Sequence, residues 1–331
     1  MVNFKSIADG YNNFTVDEIV ELLNVQGKEQ EKLFDLADRK TKQYFGNLIN
    51  IRGVIELSNI CNNNCKYCSM GKQNHTLKRY YICYKEFVKI VDEAYDLGIR
   101  VFHLSSGEND CYSDEILMKM VQYIINKECR VILVIGNKKK KFMKKIFITN
   151  KMTVICKFET SNSWLYSEYN DKSGNLDFRI EYLKFLRDIG YKIGTGNIVG
   201  LPHQNDYILA HDLLLLQKIN PEQASTSRFI HNQYSFYSDQ KDGNIKKTLN
   251  YIALMRLMLD GNTIIPTNSS VGKEDKYKAL FFGANLISIN LTPEKYYKQY
   301  VIYNDQTRYR ANLKDVEDKL RNMGLKLNYL F

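Results

Sequence analysis

From residue 53 onward, short β-rich runs alternate with amphipathic helical runs, and this alternation constrains the fold more than any other feature of the chain. The strand-like runs are "GVIELSNI" (53–60), "RVFHLSS" (100–106), "RVILVIG" (130–136), "TVICKFET" (153–160), "KIGTGNIVG" (192–200), "QASTSRFI" (223–230), "NTIIPTN" (262–268) and "NLISINL" (285–291). Seven helical patterns lie between them, with Gly98, Gly190, Gly261 and Gly283 near helix ends, where a left-handed cap is wanted. A strand followed by a helix and a further strand returns parallel, through a right-handed crossover. Eight such units predict an α/β fold of the (β/α)8 TIM-type barrel class, with an open doubly wound sheet as the alternative. In a barrel the functional groups stand at the C-terminal ends of the strands.

Residues 1–50 read as a helical extension, with Thr15 and Glu18 spaced as a capping box. The barrel is expected over 51–300, and 301–331 as a tail packing on it. Lysine and arginine exceed aspartate and glutamate by 47 to 37, a formal charge of +10. That excess permits a nucleic-acid or membrane partner. The basic residues are mostly scattered, and the one run, Lys138 to Lys145, reads as the solvated face of a helix. The N-terminus has no apolar signal core and no run approaches a membrane span, so a cytoplasmic protein with reduced thiols is expected.

At the end of the first predicted strand stands "CNNNCKYC", which places Cys61, Cys65 and Cys68 as C-x3-C-x2-C. Closely spaced thiolates suit zinc or an iron–sulfur cluster. A structural zinc site needs a fourth ligand, yet Cys83, Cys111, Cys129 and Cys156 are scattered. A cubane held by three cysteines instead leaves one iron open to bind a small molecule.

The triplet, with Tyr67 before its last cysteine, resembles the radical S-adenosylmethionine (SAM) superfamily. The flanking text "IRGVIELSNICNNNCKYCSMGKQNHTLKRY" resembles the group of HydE-type hydrogenase maturases, methylornithine synthase and, more distantly, biotin synthase. The likeness continues through "LSSGEND", "KFETSN", "GYKIGTGNIVGLP" and "IIPTNSSVG". It implies a [4Fe–4S] cluster on Cys61, Cys65 and Cys68 whose open iron chelates SAM. One electron then cleaves SAM to methionine and a 5′-deoxyadenosyl radical, which abstracts hydrogen from a substrate. It further implies a SAM ammonium site at Ser105, Ser106, Gly107 and Glu108, and SAM contacts from Glu159 and Arg179. Ile198 and Val199 match the segment against the adenine, and an electron donor such as flavodoxin or ferredoxin is expected.

The sequence also departs from these relatives. Positions matching the second-cluster cysteines of biotin synthase read His103, Ile132 and Gly194, which argues against sulfur insertion of that kind. No cysteine follows Cys156 to hold an accessory cluster. Strand six reads "STSRFIHN", where period-2 alternation puts Ala224, Thr226 and Arg228 on one face. Arg228 is the candidate anchor for a substrate carboxylate, with Asn268, Ser269 and Asn290 as further polar candidates. His203 and His211 are given no role. The reading is a radical SAM enzyme acting on a small amino-acid-like or sulfur-bearing substrate in the barrel. An RNA-modifying radical SAM enzyme and a non-catalytic metal protein are the competing readings, and no appended RNA-binding module is visible.

Overall fold

The computed structural model describes residues 3–170, 174–302 and 312–329; part of the expected 301–331 tail lies outside them. The eleven-residue strand β1 (Leu48–Ser58) organises the sheet. Its odd-numbered side chains Ile49, Ile51, Ile55 and Leu57 are buried in the main apolar core, while Arg52, Val54 and Glu56 line the lumen. That two-residue period makes one strand serve core and cavity together. Each such isoleucine or leucine contributes about 1.5–3 kcal/mol by leaving water.

Strands β2 (Val101–Ser106), β3 (Arg130–Val134), β4 (Met152–Ile155), β5 (Lys192–Val199) and β6 (Gln223–Arg228) follow in parallel, each beside the one before. Strand β7 (Leu286–Asn290) pairs with the other edge of β1. The predicted strand 262–268 is not a strand, which corrects the sequence reading. It makes two isolated parallel bridges, Ile264 to Gln223 on β6 and Pro266 to Leu286 on β7. The physical reason is Pro266, which has no N–H for a ladder. Thr267 N donates to Leu286 O at 2.8 Å, and Ala224 N to Ile264 O at 3.0 Å, so the segment still joins the last two strands and closes the ring. A strand the sequence did not announce, β8 (Lys326–Asn328), pairs in parallel with Leu48–Asn50 at the start of β1.

The helices before the barrel are α1 (Phe4–Ala8), α2 (Val16–Asn24) and α3 (Lys28–Phe45). The expected capping box is present: Glu18 N donates to Thr15 Oγ1 at 3.3 Å, and Thr15 N to Glu18 Oε2 at 2.8 Å. Around the sheet run α4 (Tyr84–Asp96), α5 (Asp114–Asn126), α6 (Lys140–Ile146), α7 (Ser163–Tyr169), α8 (Leu176–Ile189), α9 (Asp206–Ile219), α10 (Ile245–Met258) and α11 (Lys273–Lys278), then α12 (Glu294–Tyr297) and α13 (Leu313–Asn322). Side chains of Ser113, Asn162, Asn175, Asn205 and Asn244 cap α5, α7, α8, α9 and α10. The lysine run falls on α6, where Phe142, Met143 and Ile146 face inward and Lys140, Lys141, Lys144 and Lys145 face solvent. Among the described residues no helix is long and apolar enough to cross a membrane.

Candidate active site

The loops after the strands gather at one end of the barrel around a cavity of about 450 Å³ that runs down into the lumen. Cys61, Cys65, Tyr67, Cys68, Ser105, Ser106, Gly107, Glu108, Glu159, Arg179, Ile198 and Arg228 all line it. Elements more than a hundred residues apart therefore meet at one cavity, as the barrel topology dictates. Val199 does not join them. Alternation along β5 turns Ile198 inward and Val199 outward, where it is fully buried in the main core. Among the polar candidates Asn268 lines the cavity and donates to Ser227 Oγ at 2.8 Å. Asn290 instead lines an outer groove with residues of α4 and α13.

The cysteine loop is fixed from three sides. Arg79 donates to the carbonyls of Asn59 and Met70, each at 2.7 Å, Gly71 at 2.6 Å and Asn74 at 3.1 Å. Asn62 N donates to Glu108 O at 2.7 Å, and Asn109 Nδ2 to Ile60 O at 2.7 Å, which tie the loop to the end of β2. Lys66 N donates to Tyr169 O at 2.8 Å, and the Cys65 thiol lies 3.2 Å from Asn170 Oδ1, so the end of α7 holds the third side. A Cβ at Gly107 would stand 2.7 Å from Cys61 Cβ and would strike the Ile60 carbonyl. Only glycine lets these two loops approach so closely.

The donor set fits a cluster. Burial, then the neighbouring Cys61 and Glu159, push the Cys68 thiol up to about 12, and burial with the other two cysteines also raises Cys65. Bare thiolates are thus disfavoured here, and a bound cationic centre removes that penalty. Among the described residues no three His, Cys, Asp or Glu side chains surround a position for one ion. A cubane seats each thiolate on a different iron, so its ligands stand further apart than those of a single zinc.

Next to the cysteines lies a polar arc. Glu159 follows β4 with φ of 60°, a left-handed conformation that a glutamate adopts only under constraint. The constraint is β5, since the N–H groups of Phe158 and Glu159 both donate to Gly196 O at 3.0 Å. The carboxylate accepts from Tyr67 O–H at 3.2 Å, and Lys157 Nζ is 3.2 Å from Oε2, which accepts no hydrogen bond. An oriented, under-satisfied acid beside a cavity is a ligand-binding feature. Arg179, on α8, donates to Tyr166 O–H at 3.1 Å and Asn137 Oδ1 at 2.9 Å. Burial opposes its charge, but Cys156, Tyr166 and Glu108 outweigh burial and keep it protonated. Asn137 N also donates to Glu108 Oε2 at 3.1 Å, which joins Arg179 and Glu108 through one residue. Behind the arc, Asp212 on α9 accepts from Ser161 N at 2.6 Å and Asn197 Nδ2 at 2.9 Å, fixing the turn after Glu159 against β5. Burial pushes its carboxyl up to about 6.

Deeper in the lumen stand groups the sequence reading gave no substrate role. Arg52 is 7% exposed. Its Nε donates to Ser288 Oγ at 2.9 Å, but Nη1 has no partner among the described residues. Burial pushes its guanidinium down to about 9, and no carboxylate among the described residues offsets that shift. The imidazole of His103 on β2 is held well below its usual range by burial and by Arg52, and its Nδ1 is also unpartnered. Arg228 differs, since its Nε donates to Ser270 O at 2.6 Å and its Nη1 to Gly243 O at 3.2 Å, with Asp242 at 3.5 Å. Its side chain thus holds the loops at the cavity rim. The sequence signal for Arg52 was present, an arginine at an inward position of a hydrophobic strand, but alternation alone does not say which inward arginine lacks a partner.

The chain matches the radical SAM superfamily over residues 55–215. It is 30% identical over 294 residues to the [FeFe] hydrogenase maturase subunit HydE of Thermotoga maritima, covering 88% of this chain and 84% of that protein. It is 22% identical over 326 residues to 3-methylornithine synthase of Methanosarcina barkeri, covering 97% and 92%. Among solved structures, methylornithine synthase (PylB) has the same fold, with a TM-score of 0.88 over 98% of this chain and 97% of that one at 21% identity. The chain is therefore a radical SAM enzyme, belonging to the group of that superfamily that includes HydE and methylornithine synthase.

Proposed function

We propose that the protein holds a [4Fe–4S] cluster on Cys61, Cys65 and Cys68, binds SAM beside it, and acts on a small substrate whose carboxylate is bound by Arg52 in the lumen. With both bound, the family chemistry is one-electron cleavage of SAM to a 5′-deoxyadenosyl radical that removes a hydrogen atom from the substrate. Ser105 to Glu108 and the oriented carboxylate of Glu159 are disposed to hold the ammonium and ribose of SAM, and Arg179 its carboxylate. Tyr67, with Ile198, closes the apolar side of the same chamber. The lumen walls exclude water from the reacting groups.

The single observation that carries the substrate assignment is the buried guanidinium of Arg52, which has no carboxylate partner among the described residues. A buried charge is ordinarily matched by an opposite one. Among the described residues no carboxylate supplies that match, and an open cavity adjoins the guanidinium. Neutral His103, one strand away, adds a ring nitrogen for a substrate N–H or O–H. An amino-acid-like substrate suits the name of the relative 3-methylornithine synthase and this site.

The test uses anaerobically reconstituted protein with dithionite as reductant. Amino acids that stimulate release of 5′-deoxyadenosine are compared with their carboxamides, which keep the shape and lose the charge. Stimulation by the acid and not by its amide is expected. Equal stimulation by both would remove Arg52 as the anchor while leaving the radical SAM assignment standing.

A further inference from the structure

The N-terminal ends of the strands form a second mouth to the barrel, at the end away from the cysteine loop. In a closed parallel barrel this end is ordinarily filled by side chains and serves stability. Here it opens into a cavity of about 450 Å³. Alternation turns one residue of each strand toward it: Asn50 on β1, Val101 on β2, Arg130 on β3, Thr153 on β4, Lys192 on β5 and Gln223 on β6. Val101, Ile132 and Ile155 pack together in the lumen and make an apolar waist between this cavity and the chamber above, while Gln223 lines both.

The donors at this mouth outnumber their partners. Asn50 is 1% exposed, and its Oδ1 accepts from Asn328 Nδ2 at 2.9 Å. Its own Nδ2 is buried and has no partner among the described residues. An open buried donor on a cavity wall is a place for a ligand acceptor. Arg130 and Lys192 stand on the two strands that flank Thr153, and neither forms an ion pair among the described residues. Glu222, the acid whose charge acts on Lys192, is already engaged: it accepts from Ile193 N at 2.8 Å and faces Arg187 Nη2 at 3.8 Å. Burial, then the charge of Arg130, lowers the Lys192 ammonium from its usual range, and a bound anion offsets both effects. The rest of the lining decides the kind of anion. Ile264, with Val101 and Ile132, gives an apolar wall for an organic body, and Glu222 and Asp260 on the same cavity disfavour a phosphate dianion.

We propose that the lower mouth is a second ligand site, which binds a small organic carboxylate through Asn50 Nδ2, Arg130 and Lys192. The guanidinium and the amide offer directed N–H donors to the carboxylate, and Lys192 adds a point charge. The apolar waist sets this site apart from the chamber assigned to SAM and substrate, so it takes its ligand while that chamber is full, and it does not rest on the role given to Arg52.

The test measures binding of radiolabelled butyrate by anaerobic equilibrium dialysis, with cluster and SAM in place. Arg52→Met is present in every protein compared, so the lumen anchor takes no part. This parent should bind butyrate saturably at a single site. Adding Arg130→Met with Lys192→Met should weaken binding by about tenfold or more. Asn50→Asp, which keeps the acceptor for Asn328 and removes the open donor, should do the same. A control, Lys140→Met with Lys141→Met at the start of α6, loses equal charge and should bind as the parent does. Unlabelled butyramide and inorganic phosphate should each compete about tenfold less well than unlabelled butyrate, or worse. Melting curves of each variant separate lost binding from lost folding. No saturable binding in the parent, or undiminished affinity in the Arg130 and Lys192 double variant, would overturn the proposal. Equal loss in the control would reduce the effect to net charge and overturn it too, and phosphate competing as well as butyrate would overturn the carboxylate assignment. Since Arg52 is absent throughout, failure here leaves the substrate reading standing.

Discussion

Arg52→Met separates the stability of the barrel from its substrate binding, because the two effects have opposite signs. Burial pushes the Arg52 guanidinium down to about 9. At about 1.36 kcal/mol per unit the shift corresponds to roughly 5 kcal/mol against the charged form, an upper bound because the lumen opens to water at one end. Arginine stays protonated at neutral pH, so the fold carries this penalty throughout. The group's folded value is depressed, so its stability deficit is complete below about pH 9 and recovers only as pH rises from there toward the ordinary arginine range. Methionine keeps most of the stem and removes the charge. Comparable replacements of buried charges stabilise by about 1–4 kcal/mol. For a chain of this size that is a rise of about 1.5–6 °C in the melting temperature of the substrate-free protein, constant between pH 6 and 8. Substrate-coupled turnover should fall by about one to two orders of magnitude from loss of a charge-assisted bond, while slow uncoupled SAM cleavage persists. Scanning calorimetry and chromatographic assay of 5′-deoxyadenosine read the two effects. A variant that melts lower and still turns over normally would refute the argument, since Arg52 would then be a satisfied structural residue.

Alanine at Cys61, Cys65 or Cys68 should abolish the cluster's absorbance and SAM cleavage, whereas alanine at Cys83, Cys111, Cys129 or Cys156 should leave about four irons per chain by iron assay. Arg179→Ala should weaken SAM binding by about 1.5–3 kcal/mol in equilibrium binding, and unchanged affinity would make its bonds to Tyr166 and Asn137 purely structural. Asp212 titrates at about 6 in the fold against an ordinary 3.8, so the folded state holds the extra proton and stability falls as pH rises between those values. Asp212→Asn should flatten that segment of the stability–pH curve, measured by denaturant unfolding from pH 4 to 6.5. Asn197, whose Oδ1 has no partner, accepts the new amide by flipping.

The cysteine spacing is local, so Cys61, Cys65 and Cys68 were legible without any fold, and strand–helix alternation was enough to put them at the barrel's C-terminal end. The face on which a side chain lies was legible only in part. Period-2 alternation in "GNIVG" separates Ile198 from Val199, but the direction of each is decided by which side of β5 the helices cover. The run 262–268 had strand composition, yet Pro266 and the geometry of ring closure reduced it to two bridges. The choice between two arginines was beyond the sequence altogether. Arg228 and Arg52 both sit in β-strands at positions facing the cavity. Arg228 meets Ser270, Gly243 and Asp242, which only folding brings to it, while Arg52 meets Ser288 and then an open space. A sequence states which charges a chain carries, but whether a buried charge is matched depends on what the tertiary structure packs beside it, and among the described residues that structure sets a carboxylate beside Arg228 and none beside Arg52.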